Sequence, residues 1–161
     1  MLEDNNRFGE ISRRAFLKAA GVVVGGIAIG TTALLGGCGY PTAPAIGSGA
    51  CRREGDILSL SLDEVTELLE VGGSAAVRSD SDGSSLIIAR TGKDEYVVAS
   101  NECTHREKPL GYDREAEVFV CASGKSRFRL DGAVVKGPAE KPLQMYRWQL
   151  SDGCLVIDLA S

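Results

Sequence analysis

The chain has 161 residues, with 43% hydrophobic and 25% charged side chains and a formal net charge of -4. This composition is typical of a globular protein with one core, and it lacks the basic stripe interleaved with aromatic residues that nucleic-acid binding needs, so no nucleic acid is expected as a partner. Because there are 20 glycines and only 6% aromatic residues, short strands joined by tight turns are favoured over a helical bundle.

Residues 1–38 predict an export signal or a membrane anchor. Residues 12–18 (SRRAFLK) resemble the twin-arginine export motif, and residues 19–40 carry no charged side chain. About 20 apolar residues suffice to span a bilayer as a helix, so an uncleaved anchor and a removable signal stay open as alternatives. The resemblance implies a bacterial cytoplasmic membrane, with the remaining chain on its outer, periplasmic side.

Residues 35–38 (LGGC) also resemble a bacterial lipobox, which would make Cys38 a lipidated first residue. The alternative is that Cys38 is a small apolar residue within the anchor. Residues 39–56 follow and are rich in Pro, Gly, Ala and Ser, which predicts a flexible linker. Cys51 lies in this linker, and the sequence leaves its pairing open.

Residues 57–161 predict an all-β domain that begins with a short helix. Residues 61–64 (SLDE) have the pattern of a capping box, and Gly72-Gly73 can end the helix that it begins. Asp131-Gly132 and Asp152-Gly153 are typical hairpin turns. Alternating apolar and β-branched residues predict strands at 85–90, 95–100, 116–121, 126–130, 133–136, 143–150 and 154–159.

Two short motifs follow strand-like runs in this domain. The first is Cys103-Thr104-His105, and the second begins at Cys121 and runs CASGKS. Downstream, residues 130–139 read LDGAVVKGPA. Together they resemble the Rieske [2Fe-2S] family, and the likeness covers residues 57–161. It implies a small antiparallel sandwich or barrel with a cluster-binding subdomain.

In that family one iron is held by two cysteines and the other by two histidines, from a Cys-x-His and a Cys-x-x-His motif. The resemblance therefore implies Cys103, His105 and Cys121 as ligands of a 2Fe-2S cluster, with the Ser126 hydroxyl near a bridging sulfide. Gly124 occupies the position expected for the second histidine. No other histidine exists in the chain.

The resemblance is closest to the Rieske subunit of quinol:cytochrome c reductases. It implies an electron-transfer subunit of an oxidoreductase complex, rather than an enzyme by itself, with the membrane, quinol and cytochrome b-type and c-type subunits as partners. Two alternatives stay open. One is a cluster-free subunit with a Cys103–Cys121 disulfide, and the other is a mononuclear metal site such as zinc. Cys154 could ligate a metal, or it could lie in the body of the sheet.

Overall fold

The structure is a computed structural model that describes residues 39–78 and 83–161. The predicted export signal, anchor and lipobox fall in residues 1–38, which lie outside the described residues. Within the described ranges, no helix has the length and hydrophobicity needed to cross a membrane.

The described residues form β-strands and short 3₁₀ turns. The strands are β1 Cys51–Glu54, β2 Ile57–Ser61, β3 Ser74–Arg78, β4 Ser85–Arg90, β5 Tyr96–Ser100, β6 Leu110–Asp113, β7 Val118–Cys121, β8 Arg127–Arg129, β9 Val134–Lys136, β10 Arg147–Ser151 and β11 Cys154–Asp158. They pair antiparallel in three sheets, with the orders β1-β2-β11-β10, β3-β4-β5 and β6-β7-β8-β9. The predicted all-β, antiparallel fold class is confirmed.

The β3-β4-β5 sheet is buried on both faces. Successive side chains of a strand point to opposite faces. In β4, Leu86 and Ile88 belong to one hydrophobic cluster with Leu60 of β2, whereas Ile87 belongs to a second cluster with Phe119 of β7. A strand that is covered on both sides needs apolar residues at every position, which explains the continuous run LIIA in β4.

Both predicted Asp-Gly hairpins are present. Asp152 and Gly153 join β10 to β11 and have φ values of 50° and 76°, the left-handed pair that a type I′ turn requires. Gly132 has a φ of 86° in the connection from β8 to β9. These turns fix the register of the two hairpins.

The prediction of one short capped helix after Ser61 is wrong. The chain instead forms two 3₁₀ turns, Leu62–Glu64 and Thr66–Leu68, and the Ser61 side chain makes no capping hydrogen bond. The amide of Leu62 donates to the carbonyl of Gly153 at 3.1 Å, so the start of this segment is held against the β10–β11 turn. A tertiary contact therefore competes with local helix formation.

The segment predicted as a flexible linker, residues 39–56, lies against the sheets. The Tyr40 amide donates to the Ala122 carbonyl, and the Ala43 amide donates to the Leu110 carbonyl, each at 3.0 Å. Residues 51–54 form β1. Composition indicated a tether because Pro and Gly disfavour long elements, but the backbone of this segment finds hydrogen-bond partners in neighbouring strands.

Candidate functional site

The loop between β5 and β6 is closed at its base by a buried polar side chain. The Asn101 amide oxygen accepts a hydrogen bond from the Leu110 amide at 2.8 Å, and its side-chain nitrogen donates to the Ser85 hydroxyl at 3.1 Å. Asn101 is only 6% exposed. Because a buried amide must keep its partners, these bonds fix where the loop begins and ends.

Cys103 and His105 lie within this loop. The Cys103 amide donates to the Lys108 carbonyl at 2.9 Å, and the Cys103 carbonyl accepts from the Glu107 amide at 2.7 Å. The loop is thus folded around the backbone of Cys103. Its thiol is fully buried, whereas His105 is exposed.

The loop between β7 and β8 is a tight turn that starts at Cys121. The Cys121 amide donates to the Ser126 carbonyl at 3.0 Å, and its carbonyl accepts from the Gly124 amide at 2.6 Å. Gly124 has a φ of 69°, a left-handed conformation that favours glycine. The Ser123 hydroxyl donates to the Cys121 sulfur at 3.1 Å.

A third segment, which follows β9, joins the two loops. The Ala139 amide donates to the buried Ser126 hydroxyl at 3.3 Å, and the Thr104 hydroxyl donates to the Lys141 carbonyl at 2.7 Å. Gly137 packs directly against Ser126, and a Cβ atom at Gly137 would lie 2.7 Å from the Ser126 Oγ. The sequence GPA is therefore explained by the close approach of this segment to the second loop.

The two loops bring Cys103 and Cys121 together. Their thiols lie near 3.3 Å from each other, and Cys103 is 0% and Cys121 2% exposed. Both are free thiols in this structure, not joined in a disulfide. They are embedded in the same hydrophobic cluster as Phe119 and Phe128, which covers most of the surface of the pair.

The two thiols have opposite pKa shifts. Burial raises the pKa of Cys103, and the neighbouring Cys121 raises it further. Burial acts in the same direction on Cys121, but hydrogen bonds from Ser123 and from the Cys103 thiol, with the charge of Lys108, outweigh it and lower the pKa of Cys121. Of the two thiols, Cys121 therefore gives up its proton more readily.

A cavity of about 430 Å³ opens beside Cys121. Four basic side chains line it, namely His105, Arg106, Lys108 and Lys125. In the described part of the chain, none of these four forms an ion pair. The cavity therefore has a positive potential, with Cys121 among its lining residues.

The residues present do not complete the donor set of the cluster implied above. Cys103 and Cys121 supply the sulfur ligands of one iron, but His105 is the only imidazole for the other. Among the described residues, no three His, Cys, Asp or Glu side chains are grouped as a metal site. Gly124 supplies no side chain, and the space that its Cβ would enter is open.

This fold and its paired cysteine loops define a small antiparallel β protein of the iron–sulfur type with an incomplete ligand set. The sequence model of the Rieske [2Fe-2S] domain family matches residues 62–147, which are more than half of the chain. The chain belongs to the Rieske [2Fe-2S] domain family. The family resemblance inferred from the sequence is confirmed.

Two curated relatives are similar to this chain. The cytochrome b6-f complex iron-sulfur subunit of Chlorobaculum tepidum is 24% identical over 88 residues, which cover 55% of this chain and 48% of the relative. The cytochrome b6-f complex iron-sulfur subunit 1 of Synechocystis sp. is 27% identical over 149 residues, which cover 91% of this chain and 84% of the relative. The chain thus spans about half the length of the first and most of the second.

Two solved structures are also similar. The ferredoxin of carbazole 1,9a-dioxygenase from Nocardioides aromaticivorans has a TM-score of 0.50 and 24% identity, covering 61% of this chain and 91% of that one. The plasma membrane Rieske protein of Synechocystis has a TM-score of 0.45 and 22% identity, and the match covers 50% of this chain and 83% of that one. At this identity, the ferredoxin shows a shared fold.

The structure brings together three of the four site residues expected from the sequence. The Cys103 thiol contacts the Cys121 and Ser126 side chains. The backbone of His105 also bonds to that thiol, and the imidazole of His105 lies in the lining of the cavity beside Cys121 without completing a group of three metal-binding side chains among the described residues. Sequence reasoning missed Asn101, because nothing in the sequence marks it as buried. It also missed the basic lining, although the lysines and arginines flanking both cysteine motifs could have indicated it.

Cys154 lies in β11, and Cys51 in β1. Both are half-buried free thiols. Burial raises the pKa of Cys51. Neither belongs to a metal-binding group in the described part of the chain, so the position of Cys154 favours the sheet-body interpretation.

Proposed function

We propose that this protein is a membrane-tethered Rieske-domain subunit of an electron-transfer complex in which a cysteine pair replaces the standard cluster. The observation that carries the proposal is the contact of the Cys103 and Cys121 thiols, near 3.3 Å, together with a glycine at position 124. The sulfur half of the site is retained, and the second imidazole is absent. The fold survives because its loops are held by protein hydrogen bonds.

The geometry favours a disulfide when the pair is oxidised. A disulfide bond is about 2.05 Å long, so the two sulfur atoms need to approach by only about 1.3 Å. Each cysteine ends or follows a strand and is anchored by backbone bonds to Lys108 or Ser126. Closing this bond would stabilise the domain by about 3 kcal/mol, because it links segments nearly twenty residues apart.

The proposed membrane location and partners are supported by other parts of the chain and by its relatives. The twin-arginine-like motif, the apolar stretch and Cys38 in the lipobox-like sequence support export and tethering on the outer side of a bacterial cytoplasmic membrane. Both curated relatives are named as subunits of cytochrome b6-f complexes. Cytochrome b-type and c-type subunits are accordingly the partners that we propose.

A second candidate function is an iron–sulfur electron carrier that transfers electrons from quinol. The observation that favours it is the position of Ser126, which is fully buried and hydrogen-bonded to the Cys103 sulfur. From this position its hydroxyl could donate a hydrogen bond to a sulfur atom of a cluster. Cys103, His105 and Cys121 would then be ligands. The remaining ligand would have to come from water or another protein, as it would for a mononuclear zinc site.

Chemical analysis of the full chain separates these candidates. The protein should be purified from membranes in detergent under anaerobic conditions, and its iron, zinc and acid-labile sulfide measured together with its electron paramagnetic resonance spectrum. The cysteine-pair proposal predicts less than stoichiometric metal and sulfide, and loss of the Cys103 and Cys121 thiols on oxidation. Stoichiometric iron and sulfide would overturn it in favour of the carrier, and stoichiometric zinc in favour of the mononuclear site.

A further inference from the structure

The two cysteines differ in their access from outside. Cys121 lies on the wall of the cavity of about 430 Å³, whereas Cys103 is fully buried and does not line it. A cavity of this volume accepts a small molecule. Of the two cysteines only Cys121 borders the cavity, so a reagent that enters it comes next to Cys121 before Cys103.

The charges that line the cavity favour an anionic ligand. Arg106, Lys108 and Lys125 are cationic side chains, and His105 adds a fourth basic group. Among the residues that the structure describes, no carboxylate lines this cavity. Low-dielectric walls with charges of one sign concentrate ligands of the opposite sign.

Resting on the proposal that the cysteine pair replaces the cluster, we infer that this cavity is a thiol–disulfide exchange site for a small, carboxylate-bearing disulfide. Cys121 is the attacking residue, and Cys103 is the resolving residue. A domain of this fold would then exchange two electrons through sulfur chemistry. A disulfide that served only to stabilise the loops would need neither the cavity nor its positive charge.

The reaction balances with a disulfide, R–S–S–R, as the oxidant. The Cys121 thiolate attacks one sulfur, so that a Cys121–S–S–R bond forms, the R–S–S–R bond breaks and one R–S⁻ leaves. Cys103 then attacks the Cys121 sulfur, the Cys103–Cys121 disulfide forms and the second R–S⁻ leaves. The protons of the two protein thiols end on the two released thiols. The protein pair is oxidised by two electrons, and the small disulfide is reduced.

The test uses the reduced full chain in detergent, after metal analysis of the same preparation. Three disulfides of different charge serve as probes: oxidised glutathione, which is anionic, hydroxyethyl disulfide, which is neutral, and cystamine, which is cationic. Mass spectrometry of alkylated peptides measures the rate at which Cys103 and Cys121 are oxidised. We expect the oxidation rate to be highest with the anionic probe, lower with the neutral probe and lowest with the cationic probe. The differences between these rates should become smaller at high salt.

Two lysine variants test the role of the charges. Lys108→Gln removes a charge that lines the cavity, and Lys136→Gln removes an exposed charge of β9 that does not line it. Loss of one exposed ion-pair partner changes an interaction by about fivefold at most. Lys108→Gln should therefore slow the reaction with oxidised glutathione by about two- to fivefold and leave the neutral probe nearly unchanged, and Lys136→Gln should affect neither.

Two cysteine variants test the order of attack. Cys103→Ser should accumulate the mixed disulfide on Cys121, and Cys121→Ser should protect Cys103 from all three probes. Circular dichroism checks the folding of each variant. If a serine variant does not fold, peptide mapping of the wild-type protein at early times replaces it, and the first adduct should be on Cys121.

The inference is overturned by first adducts on Cys103, by rates that do not depend on probe charge, or by thiols that stay reduced in excess disulfide. These failures are distinct from failure of the proposed function. A metal-free protein without exchange would retain the cysteine-pair proposal and reject only this activity. Stoichiometric iron and sulfide would reject the cysteine-pair proposal itself, whatever the exchange rates.

Discussion

The substitution Gly137→Ala should destabilise the domain strongly because it acts on the segment that supports the cysteine pair. Gly137 has a φ of 123°, which residues with a side chain rarely adopt. A Cβ atom there would lie 2.5 Å from the Lys125 carbonyl oxygen and 2.7 Å from the Ser126 Oγ. Of its three nearest neighbours, the Lys125 carbonyl oxygen and the Ser126 Cα are backbone atoms, which cannot move away by rotation of a flexible side chain.

Two contributions set the expected size of the effect. The backbone strain of an alanine in this conformation costs about 1–2 kcal/mol, and overpacking against a fixed neighbour costs about 1–3 kcal/mol. The sum is about 2–5 kcal/mol. At about 4 °C per kcal/mol for a domain of this size, the melting temperature should fall by about 8–20 °C.

Matched glycines separate the two contributions. Gly153 has a φ of 76° but open space around its Cβ position, so Gly153→Ala should cost only the strain, about 1–2 kcal/mol. Gly47 has open space and no positive φ, so Gly47→Ala should cost nothing. Thermal unfolding of the full chain, followed by circular dichroism, measures all three. If Gly137→Ala is no more damaging than Gly153→Ala, the packing of Gly137 on Ser126 is refuted.

Three further predictions concern the loops. Gly124→His places an imidazole in open space at a cost of about 1–2 kcal/mol in strain. It should allow reconstitution of a Rieske-type electron paramagnetic resonance signal that Gly124→Ala does not give; no signal would mean that the loops have diverged beyond the ligand position. Asn101→Ala leaves the Leu110 amide without its buried partner and should cost about 2–3 kcal/mol in urea unfolding, and a cost below 1 kcal/mol would contradict the bond. Thr104→Val removes a single exposed hydrogen bond to Lys141 and should cost about 0.5–1 kcal/mol, while a loss as large as that of Asn101→Ala would contradict this ranking.

Much of the domain was predictable because alternating hydrophobicity and turn residues are local signals. The strand predicted at 85–90 is β4 as observed, and the strand predicted at 154–159 differs from β11 by one residue. Three strands of the domain, β2, β3 and β6, were not predicted. β6 contains Gly111, and it is a strand because it pairs with β7, which the local sequence does not encode.

The short helix was mispredicted for a related reason. The pattern of residues 61–64 satisfies the local rules of a capping box, but the Leu62 amide is held by Gly153, nearly the whole domain away along the chain. Tertiary hydrogen bonds of this kind outweigh a local preference of about 1 kcal/mol. The prediction of a flexible linker at residues 39–56 has the same weakness. Composition indicates how flexible a segment is by itself, but it does not indicate which distant backbone groups form hydrogen bonds with it.

By itself, the sequence determined the family, the all-β class, the identity of the two sulfur residues and the absence of a second imidazole. These follow from residue types and from local spacing. Only the tertiary structure decided that Cys103 and Cys121 touch, that a basic cavity opens beside Cys121, that the pKa of Cys121 is lowered while that of Cys103 is raised, and that Asn101, Ser126 and Gly137 hold the loops. Those properties depend on contacts between segments distant in the chain, whose burial and electrostatics exist only after folding.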